Sequence, residues 1–247
     1  LCYHVCIMPH ANENLILPKA ESWRMFDAIS PRYDLLNRLL SFGLDVFWRR
    51  QLVRFLPARH NQKLLDLATG TADVPLALVR RSKNIEYAVG IDLADKMLAI
   101  GREKVTRAKL EDKILLSHGD ASQIPFADNA FDAVTMAFGI RNVEGPLEVL
   151  REMCRVLRPQ GRALILEFSL PENKILRAAH LFYLRTVVPI VGGLISGHGE
   201  AYRYLNQTIE RFPCGAAFCA IMADAGFHNV TAHPLLGGIA TIYVGEK

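Results

Sequence analysis

Residues 64–74, "LLDLATGTADV", decide the fold of this chain. A short apolar run enters a turn of small residues, and a helical pattern begins at about Val74. A strand, a tight turn and a helix in this order are typical of the first unit of a nucleotide-binding α/β fold. The turn departs from the dinucleotide pattern, which requires glycine at the positions that Ala72 and Pro75 occupy here.

The rest of the chain alternates predicted strands with predicted helices. Apolar strands are predicted at 63–68, 86–93, 113–120, 131–138 and 161–168, with helices from about 74, at 94–109 and at 146–157. Strands that are almost wholly apolar lie in parallel sheets covered on both faces. Two more strands, 229–235 and 240–246, flank Gly237 and Gly238 and predict a hairpin. The pattern predicts an α/β fold with a doubly wound, mostly parallel seven-stranded sheet and a C-terminal antiparallel hairpin.

Two segments stand outside this alternation. Residues 1–56 are predicted as an N-terminal helical segment on the substrate side, broken near Pro31 and Gly43, and 57–247 as the main domain. Residues 171–212 contain Pro, Gly and many aromatic residues, and they predict a helical insertion that acts as a lid.

Composition narrows the class of protein. A hydrophobic fraction of 51% is enough for a core, and a net charge of +4 does not indicate nucleic-acid binding. The five cysteines include no C-x-x-C pair, so free thiols in the cytoplasm are expected, and the eight histidines suggest no metal site. The N-terminal residues show no signal-peptide pattern, and the longest apolar stretch, 186–196, is shorter than the roughly 20 residues that cross a bilayer.

Acidic residues follow the predicted strands. Asp73 is predicted as the N-cap of the next helix, where a bound phosphate would face a carboxylate. S-adenosylmethionine carries an ammonium and a sulfonium rather than a phosphate, and the carboxylates of Asp66 and Asp73 are compatible with these positive charges. Asp92 is placed to accept the ribose hydroxyl protons, and Asp120 with the Ala121 amide to contact the adenine edge. The alternative is that these carboxylates only cap helices.

The chain resembles the C-methyltransferases of ubiquinone and menaquinone biosynthesis over residues 22–247. The segments that carry the resemblance are "FDAISPRYDLLNRLLSFGLDVFWRR" (26–50), "LLDLATGTAD" (64–73), "GIDLADKMLAIGREK" (90–104), "IPFADNAFDAVTMAFGIRNV" (124–143), "EVLREMCRVLRPQGRALILEFSLP" (148–171) and "EAYRYLNQTIERFP" (200–213). The resemblance implies a class I fold that binds S-adenosylmethionine, with contacts at Gly70, Thr71, Asp92, Asp120 and Ala121.

Two positions depart from the family pattern. Ala72 stands where the family has glycine, and its methyl group is expected to weaken cofactor binding. Ala137 stands where the family often has serine, which removes one hydrogen bond.

The resemblance also implies methylation of a ring carbon of a prenylated quinol, either demethylmenaquinol or the ubiquinone-pathway benzoquinol. Arg141 and Asn142 follow the fourth strand and are the predicted catalytic residues. Arg141 is expected to stabilise a phenolate or polarise a water that takes the proton, unless it is only a salt-bridging arginine. Tyr33 and Tyr202 are predicted to line the quinol site, and His198 is a weaker candidate base.

An apolar substrate predicts a cytoplasmic protein that contacts the inner face of the membrane peripherally. Trp48, Arg49 and Arg50 are expected to touch lipid headgroups, and the apolar residues of the lid to bind the isoprenoid tail. The lid could instead form core or a homodimer interface. Two other functions stay open: methylation of oxygen or nitrogen in another small molecule, and a non-catalytic cofactor-binding subunit of a quinone-synthesis complex.

Overall fold

The fold is a seven-stranded sheet covered by helices on both faces. The computed structural model describes residues 18–196 and 199–247, so the predictions about the first seventeen residues and His198 lie outside it. The strands are β1 (Gln62–Leu67), β2 (Ile85–Asp92), β3 (Ile114–His118), β4 (Phe131–Ala137), β5 (Leu157–Phe168), β6 (His228–Leu235) and β7 (Ala240–Glu246). Their order is β3-β2-β1-β4-β5-β7-β6. Neighbours among the first five strands pair in parallel, and β7 is antiparallel to β5 and β6. The predicted fold class and hairpin are confirmed.

The helices alternate with the strands much as the sequence predicts. They are α1 (Ser22–Leu40), α2 (Leu44–Gln51), α3 (Asp73–Arg81), α4 (Asp95–Arg107), α5 (Pro146–Val156), α6 (Lys174–Phe182), α7 (Val188–Ser196), α8 (Gly199–Arg211) and α9 (Ala216–Asp224). Hydrophobic residues of the strands face a helical layer on either side, and Leu64, Leu65 and Leu67 of β1 have no exposed surface. Burial on both faces explains why these strands are apolar without alternation.

Helix α1 passes through Pro31 without a break, so the break predicted there is wrong. Proline has no N–H, which leaves the carbonyl oxygen of Asp27 without its helical donor. The Ser30 hydroxyl donates to that oxygen at 2.9 Å and replaces the missing bond. The break predicted near Gly43 is confirmed, since α1 ends at Leu40 and Gly43 takes a left-handed φ of 78°.

The predicted insertion is helical and consists of α6, a π-helical turn at Tyr183–Val187, α7 and α8. By length and composition, the 22 residues Lys174–Ile195 form a helical run that could cross a membrane. The run is longer than the apolar stretch 186–196 because it includes Lys174, Arg177 and Arg185, and a single run of this kind is weak evidence for a membrane span. One side of this run, with Leu184 and Val188, is buried against the rest of the protein. Its action as a lid, and the domain division at residues 56 and 57, stay predictions.

Asp66 is a buried carboxylate near the carboxyl end of β1, with only 1% of its surface exposed. The Thr135 hydroxyl of β4 donates to its Oδ1 at 2.5 Å. Burial raises the pKa of Asp66 from its ordinary value to about 7, although the hydrogen bond opposes the change. Because the folded protein holds this proton more tightly than the unfolded chain does, Asp66 favours folding at low pH and loses that contribution as pH rises from about 4 to about 7.

We expect Asp66→Asn to remove this pH dependence, because an amide keeps an acceptor for Thr135 and does not ionise. The free energy of unfolding of the variant relative to wild type should rise by roughly 1–3 kcal/mol between pH 5 and pH 8, measured by urea unfolding. Asp112→Asn is the control, since Asp112 is exposed in the turn before β3. Parallel pH profiles for wild type and Asp66→Asn would contradict the expectation.

Candidate active site

Two cavities lie side by side at the carboxyl edge of the sheet. The first, here the acidic cavity, has a volume of 430 Å³ and lies at the ends of β1, β2 and β4. Its charged lining residues are four carboxylates and one lysine: Asp92, Asp120, Glu144, Glu148 and Lys19. Such a cavity favours a ligand that carries positive charge over one that carries phosphate.

The turn after β1 is attached to Asp92 at the end of β2. Gly70 has a positive φ of 54°, and its N–H donates to Asp92 Oδ2 at 2.7 Å. The N–H of Ala94 donates to Oδ1 at 2.8 Å. Burial raises the pKa of Asp92, and the two N–H groups oppose the rise. The carboxylate is thus held in one orientation at the cavity wall, with lone pairs left to accept hydroxyl groups of a ligand.

Most of the predicted cofactor residues lie together in this cavity. Gly70, Asp92, Asp120 and Ala121 line it, and so does Asn142. Asp120 is exposed, and its Oδ1 accepts the N–H of Ser122 at 2.8 Å.

The remaining residues of the turn face away from the acidic cavity. Thr71 is buried, and its hydroxyl donates to Asp34 at 2.7 Å and accepts from Lys104 at 2.8 Å. Asp73 is the first helical residue of α3 rather than its N-cap, which is Ala72. Although burial raises the pKa of Asp73, Arg49 and Lys104 outweigh it and hold the pKa below its ordinary value.

The methyl group of Ala72 does not enter the acidic cavity. Ala72 is fully buried, and its Cβ packs against Gly101 of α4, where a side chain would bring a second Cβ within 3.3 Å of it. The methyl therefore fills space between the turn and α4, and the expectation that it would crowd the cofactor is not supported by this position. Its left-handed φ of 63° costs about 1–2 kcal/mol in a non-glycine residue.

Helix α1 is joined to the sheet domain by ionic contacts across α4. Lys104 Nζ lies 2.5 Å from Asp34 Oδ2 of α1 and 2.7 Å from Asp73 Oδ1 of α3. Asp27 of α1 accepts the N–H of Lys96 at 3.0 Å and so caps the first turn of α4. These contacts hold α1 across the carboxyl edge of the sheet.

The second cavity, here the apolar cavity, has a volume of 330 Å³ and lies between α1, α2, the insertion and the end of β5. Tyr33, Tyr202 and Arg141 line it, so the two predicted substrate residues and one predicted catalytic residue meet there. Trp48 and Arg49 also face it and are only 2% and 7% exposed, so the prediction that these two touch lipid headgroups is wrong.

Arg141 forms a buried ion pair at the wall of the apolar cavity. Its guanidinium donates to Glu167 Oε1 at 2.7 Å and to the carbonyl oxygen of Phe138 at 2.6 Å. Arg141 is 4% exposed and Glu167 0%. The Nε of Arg141 has no hydrogen-bond partner among the residues that the structure describes. The salt bridge that the sequence left as an alternative is present, and both of these hydrogen bonds use Nη1, so the N–H groups of Nε and Nη2 are not engaged by the described residues.

The two cavities share a wall formed by Phe26, Tyr33 and Phe138. Burial raises the pKa of Tyr33, while Arg49 and Arg141 oppose the rise, and the net shift keeps the phenol protonated at neutral pH. Arg141 and Asn142 are consecutive in a short helical turn, yet Arg141 lines the apolar cavity and Asn142 the acidic one. Groups bound in the two cavities would therefore meet at this wall.

Sequence reasoning missed Glu167, which positions the Arg141 guanidinium. A signal was present, because Glu167 is a charged residue near the end of the otherwise apolar run "ALILEF". Lys104 gave no such signal, since a lysine on an amphipathic helix is ordinarily solvent-exposed.

The fold and the paired cavities define the class. The structure is similar to that of a SAM-dependent methyltransferase from Aquifex aeolicus, with a TM-score of 0.61 and 19% identity over 86% of this chain and 96% of that one. A SAM-dependent methyltransferase from Thermotoga maritima gives a TM-score of 0.64 and 18% identity over 91% and 99% of the two chains. The protein has the fold of a class I S-adenosylmethionine-dependent methyltransferase. Four carboxylates against one lysine suit the charge of that cofactor.

The family follows from sequence. The chain belongs to the ubiE/COQ5 methyltransferase family, whose model matches residues 17–247. It is 47% identical to demethylmenaquinone methyltransferase of Thermus thermophilus over 90% of this chain and 100% of the relative. It is 46% identical to ubiquinone/menaquinone biosynthesis C-methyltransferase UbiE of Geotalea uraniireducens over 90% and 94% of the two chains. It is thus an S-adenosylmethionine-dependent methyltransferase.

We expect Asp92→Asn to weaken S-adenosylmethionine binding roughly 10- to 100-fold, because hydrogen bonds to a charged group contribute about 1.5–3 kcal/mol. The Kd measured by isothermal titration calorimetry checks this. Thermal unfolding shows whether the loss of one hydrogen bond from a backbone N–H to residue 92 has destabilised the variant. Asp95→Asn, three residues along at an exposed position, is the matched control and should bind as wild type does. An unchanged Kd in Asp92→Asn would contradict the role given to this carboxylate.

Proposed function

We propose that this protein transfers the methyl group of S-adenosylmethionine to a ring carbon of a prenylated quinol. The observation that carries the proposal is the wall of Phe26, Tyr33 and Phe138, which joins an acidic cavity to an apolar one. The acidic cavity suits a cationic cofactor, and the apolar cavity suits an aromatic ring with a hydrocarbon tail. The names of the relatives, one a demethylmenaquinone methyltransferase and one a ubiquinone/menaquinone C-methyltransferase, support a quinol as the acceptor.

The residues around the apolar cavity bind and orient the ring. Phe138 and Phe168 lie with ring centroids 4.5 Å apart, and Trp48 lies 6.0 Å from each. These rings pack against one another and form an apolar aromatic wall against which a flat ring can lie. Tyr183, Leu184 and Val188 of the insertion complete the wall and offer an apolar path for the tail.

Arg141 supplies the charge that the reaction requires. When bound, S-adenosylmethionine supplies a methyl group on a sulfonium. A quinol carbon becomes nucleophilic when its neighbouring hydroxyl loses a proton, and Arg141 stabilises the resulting phenolate through guanidinium N–H groups that Glu167 and Phe138 do not engage. Because arginine stays protonated, a water or bulk base takes the proton. Glu167 fixes the guanidinium, so little reorganisation accompanies the reaction.

The silent-subunit alternative depends on Ala72 and Ala137. The methyl of Ala72 packs toward α4 rather than into the acidic cavity. Ala137 lines that cavity with a small side chain that leaves the space open. Neither position obstructs the cofactor, which favours an active enzyme.

The direct test is to incubate the protein with labelled S-adenosylmethionine and reduced demethylmenaquinol in detergent, beside the benzoquinol precursor of ubiquinone. Methylated quinone from either substrate supports the proposal, and the preferred quinol identifies the acceptor. No transfer to either, with cofactor binding intact, would overturn it and favour a different acceptor.

We expect Arg141→Lys to lower kcat roughly 100-fold, as loss of one positioned donor does at sites that stabilise an oxyanion. Lysine keeps the charge beside Glu167 and spares the fold the cost of an unpaired buried carboxylate. The Kd for S-adenosylmethionine should stay within about twofold, because Arg141 does not line the acidic cavity. Arg24→Lys, at an exposed position on α1, is the control, and an unchanged kcat in Arg141→Lys would contradict the mechanism.

We also propose that the protein rests on the cytoplasmic face of a membrane. The insertion exposes a large apolar face formed by Ile175, Phe182, Ile190 and Leu194. Phe42, 78% exposed, extends this face toward α1, since its ring lies 6.0 Å from that of Tyr183. Cys154, Cys214 and Cys219 are free thiols, which suits a reducing compartment.

A basic groove continues from this apolar face. One helical turn before Phe42, Arg38 lines a groove whose exposed arginines come from four helices: Arg38, Arg50, Arg80, Arg81 and Arg107. Asp73 is the only acidic residue that lines it within the described chain. An apolar face beside clustered arginines matches a bilayer with anionic headgroups. Arg50, unlike Trp48 and Arg49, is exposed as the lipid prediction requires.

Co-sedimentation with vesicles tests this contact. We expect the protein to bind phosphatidylcholine vesicles only when phosphatidylglycerol is added. The double substitution Phe182→Ser and Leu194→Ser should weaken this binding roughly tenfold or more, since each buried apolar side chain contributes about 1.5–3 kcal/mol. Leu115→Ser is the control, because Leu115 is 65% exposed on the edge strand β3. If the double variant binds as wild type does, this face does not meet the membrane. If light scattering instead shows a dimer that the two substitutions dissociate, this face pairs two copies of the chain. The homodimer stays a prediction.

A further inference from the structure

His180 is a buried polar side chain in the wall of the apolar cavity. It lies on α6, and only 9% of its surface is exposed. Leu184 and Val188, at the following turns, are also buried and line the same cavity. A histidine therefore occupies one place in a row that is otherwise apolar.

The Nε2 atom of His180 is buried and has no hydrogen-bond partner within residues 18–196 and 199–247. Leaving a buried polar group unpaired is unfavourable, and such groups in native proteins are rare enough to require an explanation. Burial lowers the pKa of His180. The imidazole is therefore neutral at pH 7, with one ring nitrogen that donates and one that accepts.

A second residue in the wall of this cavity, on another helix, also has an unpaired polar atom. The indole Nε1 of Trp48 on α2 is buried, with no partner in the described part of the chain. With the Nε of Arg141 and the hydroxyl of Tyr204, four buried polar atoms without partners in the described chain belong to residues that line this cavity. The rest of the wall is largely aliphatic and aromatic, so a wall with these few polar side chains suits a ligand that is apolar except at a few oxygens.

We propose that the imidazole of His180 hydrogen-bonds the second ring hydroxyl of the quinol, the one that Arg141 does not hold. This inference rests on the proposed function. A 1,4-quinol presents two hydroxyl groups on opposite sides of one ring, and only the one beside the acceptor carbon is deprotonated for methyl transfer. The other stays protonated and is a partner for a neutral imidazole. His180 thus distinguishes a quinol from a ring that has a single hydroxyl.

The test compares two substrates in wild type, His180→Phe and His180→Gln. The first substrate is the prenylated naphthoquinol, and the second is the matching naphthol that keeps only the hydroxyl beside the acceptor carbon. We expect wild type to use the quinol with roughly tenfold lower KM than the naphthol, the scale of one neutral hydrogen bond. His180→Phe should raise the KM of the quinol to that of the naphthol and leave the naphthol unchanged. His180→Gln, which keeps a polar group, should recover part of the difference.

The Kd for S-adenosylmethionine and the thermal midpoint separate this role from a structural one. His180 does not line the acidic cavity, so both variants should bind the cofactor as wild type does. His180→Phe should unfold at no lower temperature, because it removes an unpaired polar group. Equal effects of His180→Phe on both substrates, or none on either, would overturn the inference.

Wild type alone decides the matter if His180→Phe does not fold. Equal KM values for quinol and naphthol in wild type would show that the second hydroxyl is not recognised, and the inference fails while the proposed function stands. Methylation of neither substrate would instead overturn the proposed function.

Discussion

The contact between Lys104 and Asp34 holds both cavities in place. Lys104 of α4 joins Asp34 of α1 to Asp73 of α3, and the Thr71 hydroxyl bonds to both Asp34 and Lys104. Half-burial strengthens such contacts, because water screens them less than it does at the open surface. Without α1, Phe26 and Tyr33 would be absent from the shared wall, and each cavity would open to solvent.

The two cavities differ in polarity because different elements of the fold supply their walls. The ends of β2 and β3 bring Asp92 and Asp120 to the acidic side, while the insertion after β5 brings Leu184 and Val188 to the apolar side. Arg141 and Asn142 lie between the two cavities, and Arg141 lines the apolar one while Asn142 lines the acidic one. Because the Glu167 carboxylate offsets the Arg141 cation within the fold, a positive group is available in an apolar site at a tolerable cost.

The sequence predicts the sheet well because its signals are local. A run such as "KLLDLA" is buried on both faces whatever its partners are, so each predicted strand appears within a few residues. Asp92 could be assigned to the cavity edge for the same reason, since carboxyl ends of parallel strands share one edge. Pro31 shows the limit of local reasoning. The Ser30 hydroxyl compensates for the missing N–H, and packing of α1 on the sheet domain favours one uninterrupted helix.

By itself, the sequence determined the order of strands and helices, the acidic edge of the sheet and the arginine after the fourth strand. Hydrophobic periodicity and strand ends carry that information within a few residues of chain. Only the tertiary structure decided that Thr71 faces α1, that Trp48 and Arg49 are buried, and that Glu167 pairs with Arg141. Each of these depends on elements that lie far apart in the chain and meet only when α1 and the insertion close over the sheet, and no local pattern records such a meeting.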